Sequence, residues 1–166
     1  MKMLYIIRHA KSDWSDPSLS DFQRPLNKRG KKDAPLMGEQ LGKNGVHPDL
    51  ILSSPAVRAK MTIEAIADKV GYKTERIVYD ETLYMADMDT ILRVLKQTPY
   101  SKNTVFIVGH NPELTLFAEY ISGYEIDNIP TCGLFCVKLK GDDWQNLGKE
   151  SAEIVSFDYP KKHKNI

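Results

Sequence analysis

Little in this chain points outside a cell or into a membrane. Its 166 residues hold only two cysteines, Cys132 and Cys136. They lie in a β-like stretch, Thr131 to Leu139, with no second pair nearby. They therefore read as reduced core residues rather than as a metal site or a disulfide. Neither sign of charge predominates, with 23 Lys+Arg against 22 Asp+Glu. No global field steers the protein to nucleic acid or an anionic membrane, so any positive site must be local. No apolar run approaches a membrane span, and the one before Arg8 is too short for the core of a signal peptide. Internal repeats, low-complexity tracts and dividing linkers are also missing. What these absences leave is one cytoplasmic globular domain over residues 1–160, with 42% hydrophobic residues to build a core. The lysine-rich tail, residues 161–166, is expected to be frayed and solvated.

Strand-like and helix-like patterns alternate along the chain, which indicates an α/β fold with a mainly parallel sheet. A polar connection from Lys11 to about Leu26 is long for such a fold, and long connections are often functional. Asn27 suits a helix N-cap, and Ala34, Met37, Gly38 and Leu41 supply an apolar face. Pro35 predicts a kink in that helix or a later start. Ser54 and Pro55 read as the N-cap and first residue of a second helix that Gly71 ends. A third strand is expected over Thr74 to Tyr79, a third helix around Met88 to Leu95, and a fourth from Glu113 to about Ser122. Gly133–Lys140 and Ser151–Asp158 read as closing strands joined through Gly141-Asp142-Asp143.

Three of the hydrophobic strands end in the same kind of chemistry. Leu4-Tyr5-Ile6-Ile7 runs into Arg8 and His9, Ile51-Leu52-Ser53-Ser54-Pro55 leads to Arg58, and Thr104 to Gly109 ends in His110. Ligands of open α/β sheets bind at the carboxyl ends of parallel strands. Two arginines and two histidines would then converge on one spot. Such a cluster repels itself unless it takes an anion, and phosphate suits guanidinium groups best. Arg58, in the first turn of its helix, also lies where a helix dipole favours negative charge. A metal site fits less well, because neither an HExxH spacing nor a carboxylate pair accompanies the histidines, and arginine repels a cation.

Arg8-His9-Ala10-Lys11-Ser12, Arg24-Pro25-Leu26-Asn27-Lys28-Arg29-Gly30 and Ser53-Ser54-Pro55-Ala56-Val57-Arg58-Ala59, together with the late His110, resemble the histidine phosphatase superfamily. More narrowly they resemble its SixA-type branch of protein phosphohistidine phosphatases. Ala10 stands where most of the superfamily has glycine. The resemblance implies a phosphoglycerate mutase-like, three-layer αβα sandwich whose mainly parallel sheet carries an antiparallel edge. It implies a monomeric phosphatase that needs no metal or other cofactor. His9 would be the nucleophile, forming a phosphohistidine that water hydrolyses. Arg8 and Arg58 would depress its pKa and bind the phosphoryl oxygens, and His110 would complete the pocket as a cationic donor. Glu81 is the first candidate for a general acid, with Asp13, Asp16 and Asp21 as competitors. Arg24 and Ser12 are candidates for contacts to substrate or for bracing the loop. The connection from Glu81 to Asp87 leaves no room for a cap. An uncapped site suits a phosphohistidine protein or a small phosphate ester; a phosphate-recognising module without turnover is the reading from another class.

Overall fold

The arrangement of layers follows from which side chains each strand buries. In β1 (Met3–Arg8), Leu4 and Ile6 pack into one apolar cluster and Ile7 into another. In β4 (Thr104–Gly109), Val105 and Ile107 join the first cluster while Phe106 and Val108 join the second. A strand apolar on both faces must be covered on both. The second cluster is covered by α1 (Lys28–Lys43) and α2 (Val57–Val70), through Ala34, Met37, Leu41, Ile63 and Ile66. The first is covered by α3 (Met88–Lys96) and α4 (Glu113–Ser122), through Ile91, Leu95, Phe117 and Ile121.

The remaining strands are β2 (Leu50–Ser53), β3 (Val78–Tyr79), β5 (Leu134–Leu139) and β6 (Ala152–Asp158), and the sheet order is β3-β2-β4-β1-β5-β6. The first four in that order run parallel, whereas β5 and β6 are antiparallel. The fold is therefore the αβα sandwich with an antiparallel edge that the sequence suggests. In this computed structural model, residues 1–164 are described.

Several local expectations need correction. The third strand is only Val78–Tyr79, since Thr74–Arg76 forms a 3-10 turn. Those polar residues are exposed and have no face to bury. The first helix starts at Lys28 with Asn27 capping the Gly30 amide, and it continues through Pro35 rather than starting later. The second helix starts at Val57, two residues beyond Pro55, and Ala56 rather than Ser54 precedes it. The tail is not free through Lys164. Pro160–His163 forms a 3-10 turn, and the Lys164 ammonium sits 2.6 Å from Asp33, a fully buried carboxylate of α1. A buried carboxylate is strongly destabilising without a cation, which accounts for the docking. Residues 165–166 lie outside the described residues.

Candidate active site

Strand register brings the chemistry together. Arg8 pairs with Gly109 across β1 and β4, and Ser53 pairs with Val108 across β2 and β4. The three strands therefore end at one level, and His9, Ser54 and His110 each follow directly. The His9 amide donates to the Gly109 carbonyl (3.2 Å) and its carbonyl accepts from the Cys132 amide (3.0 Å). Thr62 on α2 ties this turn to the helix. Its Oγ1 accepts from the Ala10 amide at 2.9 Å and donates to the Arg58 carbonyl at 2.7 Å. Ala10 is fully buried, so the position commonly held by glycine is filled by a methyl group packed in the second cluster.

The pocket at this edge measures about 260 Å³ and is lined by Arg8, His9, Ser12, Arg24, Arg58 and His110, with Lys11, Trp14, Asn111 and Thr131. His9 Nδ1 lies 2.7 Å from the Ala10 carbonyl. A carbonyl only accepts, so Nδ1 carries the proton and Nε2 keeps its lone pair. Burial lowers the His9 pKa to about 4, with Arg58, Arg8 and Arg24 adding to the effect and the Ala10 carbonyl opposing it. The arginines are thus the smaller cause of a depression that the sequence assigns to them alone.

His110 stands with its ring 5.2 Å from that of His9. Burial, His9, Arg58 and Arg8 bring its pKa to about 3, against the opposing charge of Asp21. It is a neutral imidazole here, not the cation expected. Its Nε2 lies 2.7 Å from Ser54 Oγ, which also accepts from the Ala56 amide at 3.2 Å. The serine proton is free to go to Nε2, a contact compatible with the imidazole proton on Nδ1. Nδ1 is buried without a partner, as are Arg8 Nε and Arg58 Nε. Buried polar atoms without partners are rare, and here three nitrogens of one pocket share that condition.

The long loop is pinned at its base by a bridge between Ser12 and Leu26. Lys11 accepts from the Asn27 amide, and Asp13 donates to the Pro25 carbonyl. Gly30 lets α1 approach this base, since a Cβ there would meet the Lys11 carbonyl at 2.2 Å. Within the loop, Arg24 donates to Ser12 Oγ (2.8 Å) and lies 3.4 Å over the Trp14 ring. Both Arg24 and Ser12 therefore belong to the pocket wall, with Ser12 serving Arg24. Asn111 caps α4, accepting from Thr115, and donates to the Ile129 carbonyl that also receives Arg8.

Glu81 is not brought in. It is exposed on the 3-10 turn Glu81–Leu83, outside the pocket lining, and its carboxylate makes no hydrogen bond or ion pair among the described residues. Asp13 and Asp16 instead cap their own loop turns at Ser15 and Ser18. Asp21 is the carboxylate that reaches the pocket's arginines, accepting from both Arg24 and Arg58 at 3.0 Å. The hydrogen bond from the Tyr84 hydroxyl above all, and then the two arginines, hold it well below the usual carboxylate range, so it is ionised and a poor proton donor. Sequence reading did not single out Trp14, Tyr84 or Thr62. A tryptophan amid Ser-Asp-Trp-Ser-Asp was the one available signal, since nothing local marks the other two.

A pocket of arginines around a histidine with a bare ring nitrogen has the charge and donors suited to an oxyanion. Comparison with known proteins agrees. Residues 4–89 match the histidine phosphatase superfamily (branch 1). An uncharacterized protein of Mycobacterium leprae is 31% identical over 93% of this chain and 100% of its own length. An uncharacterized chloroplastic protein of Arabidopsis thaliana is 32% identical over 87% of this chain and 69% of its own. The chain belongs to the histidine phosphatase superfamily.

Within that superfamily its structure is similar to those of SixA-type proteins. The putative phosphohistidine phosphatase SixA from Agrobacterium tumefaciens has the same fold at a TM-score of 0.81. That similarity has 28% identity and covers 96% of this chain and 98% of the other. A protein histidine phosphatase SixA complexed with tungstate shares the fold at a TM-score of 0.84 and 21% identity, over 98% of this chain and 99% of its own. The phosphoglycerate mutase-like sandwich and a phosphatase are what these relationships support. The matched segment stops before His110, so that residue joins the site through the fold alone.

Proposed function

We propose that the protein is a phosphatase that works through a covalent phosphohistidine on His9 and draws its electrostatic catalysis from arginine rather than from a metal. The observation that carries this reading is the 2.7 Å contact of His9 Nδ1 with the Ala10 carbonyl, which leaves Nε2 bare in an arginine-lined pocket. In the first step the Nε2 lone pair forms the N–P bond while the bond from phosphorus to the leaving group breaks. Arg8, Arg58 and the Nδ1 proton of His110 are donors for the three equatorial oxygens, where the charge of the transferring phosphoryl group lies. Arg24 forms the outer wall. Water then attacks phosphorus, and the freed His9 returns with phosphate released.

The substrate follows from the leaving group. Glu81 lies outside the pocket and Asp21 is held ionised, so no carboxylic acid stands ready to protonate a departing alkoxide. An imidazole leaving group needs less help than an alkoxide does. A protein phosphohistidine, processed in the cytoplasm by a monomeric enzyme, is the substrate this arrangement suits. A small ester with a good leaving group is the second reading, favoured by the open, uncapped pocket.

The test is hydrolysis of an aryl phosphate and of a phosphohistidine carrier protein, each with excess EDTA, by the wild type and His9→Ala. EDTA-resistant turnover that disappears in the variant is the expected outcome. Turnover that survives in His9→Ala would remove the nucleophile from its role. Faster processing of a free phosphate ester than of the carrier would shift the reading to small substrates.

A further inference from the structure

Asp21 is an anion that already occupies part of the arginine cluster. Its carboxylate Oδ2 accepts from Arg58 Nη2 at 3.0 Å and from the Tyr84 hydroxyl at 2.6 Å. Its Oδ1 accepts from Arg24 Nη2 at 3.0 Å and Nε at 3.3 Å, and its main-chain carbonyl accepts from Arg58 Nη1 at 2.7 Å. One loop residue thus holds two guanidinium groups from different elements, plus a phenol from the Glu81–Asp87 connection. That phenol ring meets the His110 ring edge-on at 5.6 Å and the Phe22 ring at 5.0 Å. Three segments meet at this carboxylate: the long loop, the start of α2, and the turn that carries Tyr84.

Two guanidinium ions side by side repel each other, and the repulsion is strongest where burial removes water. Both side chains are largely buried, whereas the Asp21 side chain is 49% exposed. Asp21 therefore sits at the solvent edge of the arginines and supplies negative charge there. Nη1 and Nη2 of Arg58 each give one N–H to Asp21, which fixes the plane of the guanidinium and with it the directions of its remaining N–H donors. Carboxylates that orient metal-binding histidines from behind act in the same way on a different ligand.

We propose that Asp21 is the positioning residue of the phosphoryl pocket. It fixes the direction of Arg58 and Arg24 and serves as their counter-ion, while making no contact with the transferred group. This rests on the reading of His9 as nucleophile for its kinetic consequence, but not for its geometric one. Asp21 also repels a bound dianion, so its removal should not weaken binding and cost rate in equal measure. Misdirected donors lower the turnover, whereas loss of the nearby negative charge favours anion binding.

The experiment compares wild type, Asp21→Asn, Tyr84→Phe and the double variant by two readouts. The first is steady-state hydrolysis of an aryl phosphate, with inorganic phosphate as competitive inhibitor. The second is the NMR signature of restrained arginine side chains, read from the Nε–H signals of Arg24 and Arg58. The expected result for Asp21→Asn is a fall in kcat of about 10- to 100-fold with a KM and a phosphate inhibition constant unchanged or lower. The two arginine signals should lose their restraint. Tyr84→Phe should show a smaller effect in the same direction, which vanishes when Asp21 is already Asn. Arginine signals as restrained in Asp21→Asn as in wild type overturn the proposal whether or not the protein turns over. A kcat unchanged within twofold overturns it while leaving the His9 reading intact. Lack of any His9-dependent turnover in the wild type defeats that reading instead, and the arginine signals still decide the role of Asp21.

Discussion

Two surface hollows of the molecule are opposite in character, and the larger is the less informative. One, of about 700 Å³, lies beyond the end of α4 and is lined by Glu119, Glu125, Asp127 and Glu150 together with Tyr120 and Lys149. Its Glu119 is already committed to the Ile126 amide at 2.7 Å, and no buried side-chain nitrogen or oxygen among its lining residues lacks a partner. The other, about 260 Å³, holds three buried nitrogens with nothing to donate to or accept from. Volume reports how the surface undulates. Unmet hydrogen-bonding capacity, concentrated where three strands end, reports where a ligand belongs.

This contrast can be broken or sharpened by substitution. The largest expected effect is at Arg58. Arg58→Ala should lower kcat/KM for an aryl phosphate by about 10²- to 10³-fold, the usual cost of losing a donor to transition-state charge. Retention of activity within tenfold would show that the pocket does not depend on its arginines as described.

Next comes Gly30, which is remote from the phosphoryl group but controls the loop base. Gly30→Ala places a Cβ 2.2 Å from the Lys11 carbonyl, so the backbone beside Ser12 must move. A destabilisation of about 1–3 kcal/mol is expected, together with reduced kcat at temperatures where the protein is still folded. Denaturant melts and rates measured below the transition separate the two effects.

The third expectation concerns pH. His9 and His110 have pKa values of about 4 and about 3 against an ordinary 6.5. From about pH 6.5 down to about pH 4 the unfolded chain therefore holds more protons on these groups than the folded chain. Stability rises with pH through that window and is lost as pH falls. Thermal melts should show a declining Tm there, with a shallower decline in His9→Ala. The nucleophile stays neutral across the same window, so loss of the free base should not limit kcat/KM until about pH 4. A pH-independent Tm between 4 and 6.5 would contradict the buried, neutral state of both rings.

The smallest effect is expected in the acidic hollow. Glu125→Gln and Lys149→Ala should leave aryl phosphate hydrolysis within about twofold, as surface changes away from a site do. A large loss there would mean that size had pointed to the right place after all.

Much of the fold was legible because both faces of the sheet are buried. The runs Leu4 to Ile7 and Thr104 to Gly109 have no polar interruption, and α4 was read to its last residue. Local chemistry misled where a side chain served a distant partner. Ser54 carries the signature of a helix cap but is turned to His110, which comes from a strand more than fifty residues away. Pro35 is tolerated inside α1, a helix anchored by extensive packing on α2. The four pocket residues Arg8, His9, Arg58 and His110 could be named in advance because each follows its own strand. Glu81 also follows a strand, yet the 3-10 turn carries it out to solvent. Asp21 could not be ranked above Asp13 or Asp16, since its partners come from α2 and from Tyr84, 63 positions along the chain.

The central claim is a phosphoryl group carried on His9 Nε2. The most direct test is to mix wild-type protein with a 32P-labelled aryl phosphate or phosphohistidine carrier, quench within milliseconds, and identify the labelled residue at alkaline pH, where phosphohistidine survives. A label confined to the peptide containing His9, absent from His9→Ala and discharged at least as fast as steady-state turnover, is the predicted result. Steady-state turnover with no label on the enzyme, or a label that persists in His9→Ala, would contradict it.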